Sequence, residues 1–336
     1  MVNYFTIVEF MLTTNQIVHA SVICKTGGMG THERRTLFQS ATPGSTEWPT
    51  LVLLAITYAV WALATTWLAS LSTPLAVIVT AIAIAQFSSL QHEAIHGHPF
   101  ENTTLNALLV APALTLILPY ARFRDTHLDH HLDSRLTDPY DDPESNYIDP
   151  GDWEKMSRVE RMIRTANNTL AGRLIIGPIL GTACFLRADW RNRTTDPRVL
   201  KGWAWHLPAM IPVLFWLASI ATLSIWAYAV AIYFGLSLLR IRTFLEHQAH
   251  EHALGRTVII DDQGPLAILF LNNNYHVLHH THPRAPWYKL PGLFRQNPDR
   301  YLKQNDGYFY RSYAQVFAKY FLRRKDPVPH PLWRRS

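Results

Sequence analysis

Residues 206–239 read HLPAMIPVLFWLASIATLSIWAYAVAIYFGLSLL, without a single Lys, Arg, Asp or Glu. About 20 apolar residues in a helix suffice to cross the hydrocarbon core of a bilayer. The run is long enough for two crossings, with a turn at Ala221-Thr222-Leu223-Ser224. A charge at the centre of a span costs on the order of 2.5–3.5 kcal/mol on insertion scales, and neither crossing asks for one. An earlier charge-free region repeats the pattern, with the tight turn Leu71-Ser72-Thr73-Pro74 in its middle. Trp48 and Trp67 suit interfacial positions near the ends of its first span, and Pro74 suits the first turn of a helix. The spans are expected at about residues 50–71, 74–91, 204–221 and 223–240. The expected fold is an all-α integral membrane protein whose four transmembrane helices form two hairpins.

Composition agrees. Of 336 residues, 48% are hydrophobic, and the apolar residues come in long uncharged runs, which is the membrane class. The formal charge is +6. Every Lys and Arg falls in the N-terminal arm, in residues 121–201 or from Arg240 onward, and the two short turns carry none. The basic balance therefore reads as an orientation signal, not as a nucleic-acid footprint. It places both termini and the basic segments in the cytoplasm. The only cysteines are Cys24 and Cys184. They exclude a disulfide framework, a Cys-ligated iron–sulfur cluster and a rubredoxin-type site within this chain.

Residues 1–45 read as a poorly ordered arm. Asn3, Glu9, Asn15, Gln16 and His19 interrupt its apolar part, and the basic start of a signal peptide is missing. An internal start at Met29 is one reading of it. Residues 46–336 make the membrane domain. Residues 105–118 are too short to cross and contain Pro112, so they read as re-entrant or interfacial. Residues 151–200 are basic and helix-compatible, with Arg158, Arg161 and Arg164 along one face, suited to an anionic membrane surface. Residues 169–186 read as an interfacial segment. The acidic stretch Asp138-Pro139-Tyr140-Asp141-Asp142-Pro143-Glu144 reads first as a solvated loop. A cap over the site or a contact for a redox partner is its other reading. The tail from residue 323 looks like a loose basic end.

Four histidine-rich stretches punctuate this frame. They are His92-Glu93-Ala94-Ile95-His96, Thr126-His127-Leu128-Asp129-His130-His131, Glu246-His247-Gln248-Ala249-His250-Glu251-His252 and His276-Val277-Leu278-His279-His280. Helical positions i, i+3 and i+4 share one face, so each His-x-x-His-His presents three imidazoles to one point. Imidazole binds iron, zinc, copper or nickel. Most of the 17 histidines fall in these stretches, which points to a metal site. Residues 92–96 also spell the His-Glu-x-x-His of zinc proteases, in which two His bind zinc and the Glu is the base. That chemistry needs about one further ligand and would leave two His-x-x-His-His stretches idle. His98, His252 and His282 read as supporting or surface residues; His19, His32, His206 and His330 do not read as ligands.

The first, second and fourth stretches, His92-x-x-x-His96, His127-x-x-His130-His131 and His276-x-x-His279-His280, in this order around two hydrophobic hairpins, resemble the membrane fatty acid desaturase family, which also contains hydroxylases, alkane monooxygenases and carotenoid ketolases. The resemblance runs from about Glu47 to Leu322. It implies a non-haem diiron centre on a cytoplasmic helical cap that carries the histidines, with O₂ and two electrons consumed per turnover. It also implies a further histidine on the cytoplasmic extension of the fourth span, matched by His247. The metal set is then His92, His96, His127, His130, His131, His247, His276, His279 and His280. Glu93, Glu246, His250 and Asn272 are candidates for supporting contacts that fix histidine tautomers. The expected substrate is a lipid or fatty acyl chain. A cytochrome b5 signature is missing and the cysteines are too few for a fused rubredoxin, so the electron donor is expected to be a separate ferredoxin- or cytochrome-like protein. A four-span chain without a fused donor suggests a bacterial inner membrane. Desaturation is the first reading of the activity, and hydroxylation of an aliphatic lipid the second.

Overall fold

A computed structural model of the chain describes residues 46–131 and 135–333. The expected arm, residues 1–45, lies outside them. Helices α1 (Trp48–Leu71) and α2 (Thr73–Ile95) open the described chain. Ser72 caps α2 through its hydroxyl. The short α3 (Thr103–Leu109) leads through turns to α4 (Tyr120–His130). Helices α5 (Pro150–Lys155), α6 (Arg158–Asn167), α7 (Leu170–Ile175) and α8 (Gly177–Asn192) precede the long α9 (Pro197–Ser219) and α10 (Ile225–Arg242). Beyond them lie α11 (Pro265–Leu269), α12 (His276–Thr281), α13 (Leu290–Gln296), α14 (Pro298–Gln304) and α15 (Tyr313–Tyr320). Two short strands, β1 (Ile259–Ile260) and β2 (Phe309–Tyr310), pair in parallel.

Three helices, α1, α2 and α10, are long and apolar enough to cross a membrane. The expected third span is different. Its helix, α9, starts earlier than expected, at Pro197, and so includes Arg198 and Lys201. His206, three tryptophans and the internal Pro208 and Pro212 dilute its apolar part. Three of the four expected spans therefore qualify by length and composition.

Helices α2 and α10 meet at Gly235. A Cβ there would stand 2.9 Å from Ile84 Cγ2 and 3.0 Å from the Ala81 carbonyl oxygen, so the two backbones approach this closely only without a side chain. Leu54, Trp61, Phe87, Leu90, Tyr228 and Leu236 fill the core around them. Residues Ala64–Leu68 of α1 form a π-helical turn. Such a turn frees a carbonyl from the helix ladder. Here the Thr65 carbonyl accepts the Thr222 and Leu223 N–H groups, both at 3.0 Å, and Trp216 Nε1 donates to the Thr65 hydroxyl at 3.0 Å. The α9–α10 turn is thus latched onto α1.

Residues 105–118 form the end of α3 and a run of turns, in keeping with a segment that does not cross. Irregular backbone at membrane depth survives only where protein groups satisfy its carbonyls. Each long helix supplies one. Tyr58 of α1 donates to Leu109 at 2.7 Å, and Gln91 of α2 to Val110 at 3.1 Å. Tyr228 of α10 donates to Leu114 at 2.7 Å, and His206 Nε2 of α9 to Leu116 at 3.2 Å. These four bonds account for Tyr58, Gln91, Tyr228 and His206 in otherwise apolar helices.

Helix α4 is fixed by a buried ion pair. Arg122 Nε and Nη2 donate to Asp189 of α8 at 3.2 and 3.0 Å, and Trp203 Nε1 of α9 donates to the same carboxylate at 2.9 Å. The tail also departs from expectation. Residues 325–333 are engaged, with Ile148 and Pro329 in a parallel bridge. The prolines at 327 and 329 remove any helical period, yet extended backbone can still pair.

Candidate metal centre

The end of α2 supplies His92 and His96, a helical turn apart. Helix α4 supplies His127 and His130, with His131 as its C-terminal cap. Helix α12 supplies His276, His279 and His280. His247 lies beyond the end of α10, not on a helical extension of it. It sits in an extended segment that bridges Thr257. The chain folds back here, with Gln248 N–H on the Arg256 carbonyl and Val258 N–H on the Glu246 carbonyl.

All nine imidazoles converge, in two groups. His92, His96, His127 and His279 can hold one metal ion, and His130, His247, His276 and His280 a second. His131 joins the first group, its Nε2 lying 3.0 Å from Nε2 of both His127 and His279. His96 and His127 approach at 3.0 Å through the same atoms. In the second group His247 Nε2 lies 2.7 Å from His130 Nε2 and 3.0 Å from His276 Nε2.

A metal–nitrogen bond of about 2.0–2.1 Å puts ligands at right angles about 2.8–3.0 Å apart. The closest pairs stand near that separation, while the ligand atoms of each group of four lie within 4.8 Å of one another. Five imidazoles in the first group exceed the four positions of a structural zinc. His92 Nε2 is buried and lacks a hydrogen-bond partner. Such an atom costs on the order of 1–3 kcal/mol, which metal coordination offsets.

The outward-facing ring nitrogens fix the tautomers. His127 Nδ1 meets Glu144 Oε1 at 3.0 Å, and His130 Nδ1 meets Asp142 Oδ1 at 2.7 Å. A carboxylate only accepts, so each Nδ1 carries a proton, and in the neutral ring Nε2 then turns a lone pair inward. His276 Nδ1 donates to Asn273 Oδ1 at 3.2 Å, and Asn273 Nδ2 donates to Glu246 Oε1 at 2.7 Å. Glu246 Oε1 in turn forms an ion pair with Arg242, whose Nε lies 3.2 Å away. Burial, then the neighbouring imidazoles, holds His96, His127, His247, His276 and His279 well below the ordinary histidine range. His280 is pulled down to about 3 by burial and by His130. His130 runs the other way: burial opposes protonation, but Glu144 and Asp142 raise it to about 9. The neutral imidazoles are in the form that binds a metal.

Among the supporting candidates, Glu246 reaches His276 through Asn273. Glu93 Oε1 lies 3.9 Å from His92 Nδ1, while its Oε2 accepts the Trp287 N–H at 3.2 Å. Asn272 donates to the Trp287 carbonyl at 3.1 Å, and His250 Nε2 meets Asp306 Oδ2 at 3.1 Å. Neither touches a box histidine through these bonds. His98 pairs with Glu47 at 2.9 Å and His282 with Tyr301 at 3.0 Å. Sequence reasoning singled out neither Asp142 nor Glu144. Both come from the stretch read first as a solvated loop and second as a cap over the site or a redox-partner contact.

A scan against protein families matches the fatty acid desaturase model over residues 65–312. The chain belongs to the fatty acid desaturase family. No curated protein matches it. As a member of that family, the chain is an oxidoreductase of the desaturase and hydroxylase type, associated with membranes through its apolar helices. All nine converging histidines fall in the matched span, and so do Asp142, Glu144 and Asn273.

In this desaturase-family chain, Asp142→Asn is expected to weaken metal binding about 10–100-fold, the usual scale for a carboxylate that orients a metal-bound histidine. The amide can donate to His130 Nδ1 and favour the wrong tautomer. Titration of the metal-free protein with ferrous iron measures it; unchanged affinity would remove Asp142 from the site.

Proposed function

We propose that this chain is a membrane-bound oxidoreductase in which His92, His96, His127, His131 and His279 hold one iron and His130, His247, His276 and His280 a second, and that it desaturates a fatty acyl chain. The observation that carries this reading is the split of nine buried or half-buried imidazoles into two converging groups. The bound diiron pair supplies the oxidising power, with O₂ and two electrons from a separate ferredoxin- or cytochrome-like donor. The balance is one saturated CH₂–CH₂ unit, O₂, two electrons and two protons giving one alkene and two waters.

The chain's own residues do the rest. Asp142, Glu144 and Asn273 hold protons on the outward ring nitrogens and aim the lone pairs inward. The apolar side chains of α1, α2 and α10 offer an acyl chain a water-free approach from the membrane. In this reading α9 also crosses, as the third of four spans, its polar residues spent on internal bonds such as His206 to Leu116. Both termini and the histidines face the cytoplasm, the side rich in Lys and Arg, in a bacterial inner membrane. Residues 46–336 act as one membrane domain.

Hydroxylation of an aliphatic lipid is the second reading, because one histidine set serves both outcomes and only the fate of the second hydrogen differs. The zinc-protease reading of residues 92–96 fits poorly. Glu93 is engaged with the Trp287 backbone, and both histidines sit in a five-imidazole group.

Lipid mass spectrometry on membranes expressing the chain, beside a His130→Ala control, is the test. Loss of two hydrogens from an acyl chain, absent in the control, is the expected result. Gain of one oxygen instead would assign the hydroxylase reaction.

A further inference from the structure

Residues 325–333 follow the family-matched span and lie between the acidic loop and the His247 segment. Lys325 Nζ donates to the carbonyl of His247 itself, and the Lys325 N–H donates to the Asn168 carbonyl at 2.9 Å. Asp326 accepts the Tyr147 hydroxyl, and that hydroxyl accepts the Ala249 N–H at 2.8 Å. Three segments are closed into one ring by these bonds: the acidic loop, the tail and the strand that carries His247.

The same tail holds the acidic loop along its length. Ile148 N–H donates to Val328 at 3.1 Å, and His330 N–H returns to Ile148 at 2.9 Å. Trp333 Nε1 donates to Asp149 Oδ2 at 2.8 Å. His330 Nε2 lies 3.3 Å from the Thr137 hydroxyl, and the Thr137 N–H donates to Asp142 Oδ2 at 2.8 Å. A continuous chain of contacts thus runs from the tail through Thr137 and Asp142 to His130.

We propose that residues 325–333 are a positioning element of the metal centre, fixing His247 and the Asp142 loop relative to each other and so setting metal retention in the second histidine group. The asymmetry follows from the contacts. His130 and His247 both belong to the second group, whereas the tail reaches the first group only through the loop that carries Glu144. Lys325 and Asp326 act through other residues and touch no reacting atom.

The proposal rests on the two-metal reading, and the test separates the two. Full-length wild type and Lys325→Met are loaded with ferrous iron, and iron release to a chelator is followed. Wild type is expected to release two irons. In Lys325→Met one of them should leave about 10–100-fold faster, the scale for losing a supporting contact, while the other keeps its rate. Lys325→Arg, which can donate to the same carbonyl, should restore the slow phase. Two unchanged rates, or two equally accelerated ones, would overturn the proposal. Should Lys325→Met not fold, Trp333→Phe removes only the bond to Asp149 and carries the same test with the same two outcomes. A wild type that binds no iron would defeat the two-metal reading instead.

Discussion

His247→Ala is expected to remove one metal from the centre and to lower turnover at least about 100-fold, the upper end for merely supporting contacts. His247 is the only member of its group that does not come from a helix. Its Nε2 stands 2.7 Å from that of His130 and 3.0 Å from that of His276, so no neighbour can take its place without displacing another ligand. The remaining three imidazoles of that group would hold the ion weakly, whereas the five of the first group are untouched. Metal analysis should fall from two ions per chain to one, with the fold intact. Loss of both ions would mean that the groups are not independent; loss of neither would exclude His247 as a ligand.

Asp189→Ala is expected to cost about 3–5 kcal/mol, the range for removing one partner of a buried ion pair. The Arg122 and Asp189 side chains are 7% and 6% exposed. The Arg122 guanidinium keeps only a 3.7 Å approach to Asp125 once Asp189 is gone. The Trp203 indole loses its acceptor at the same time. Helix α4 carries three of the nine histidines, so its displacement should loosen the metal centre as well. Thermal unfolding in detergent reads the first effect and iron retention the second. Asp189→Asn keeps an acceptor for Arg122 and should lose less. A melt unchanged in Asp189→Ala would show that α4 is held by its other contacts.

The convergence of the histidine rings is legible in their spacing, because i, i+3 and i+4 positions on α4 and α12 leave little freedom in where the rings point. His247 was readable only through its order in the chain, and its local setting was not. A two-residue bridge to Thr257 has no periodicity to betray it. Asp142 and Glu144 lie 12 and 17 residues beyond His130 and His127 respectively in no regular element, and an acidic, Pro-punctuated loop looks the same whether its carboxylates face water or imidazole. The Asn run divides its work for a backbone reason. Asn272 takes a left-handed φ of 54°, which Asn tolerates, and this leaves the next residue, Asn273, to reach His276.

The apolar spans were equally readable where a helix is uniformly apolar, as in α1, α2 and α10. In α9 the residues that disguise the helix have internal partners: His206 binds the Leu116 carbonyl and Trp216 the Thr65 hydroxyl. Composition counts such residues as polar cost, whereas the fold spends them on the irregular backbone and the π-helical turn. The tail misled for the opposite reason. Its charges suggest a solvated end, but Lys325 donates to the His247 carbonyl.

The most direct measurement is iron content and Mössbauer spectroscopy of the purified full-length protein. Two irons per chain in two distinct nitrogen-rich environments, one with five imidazoles and one with four, is the predicted result. A folded protein that binds a single zinc, or that takes up no iron, would contradict it.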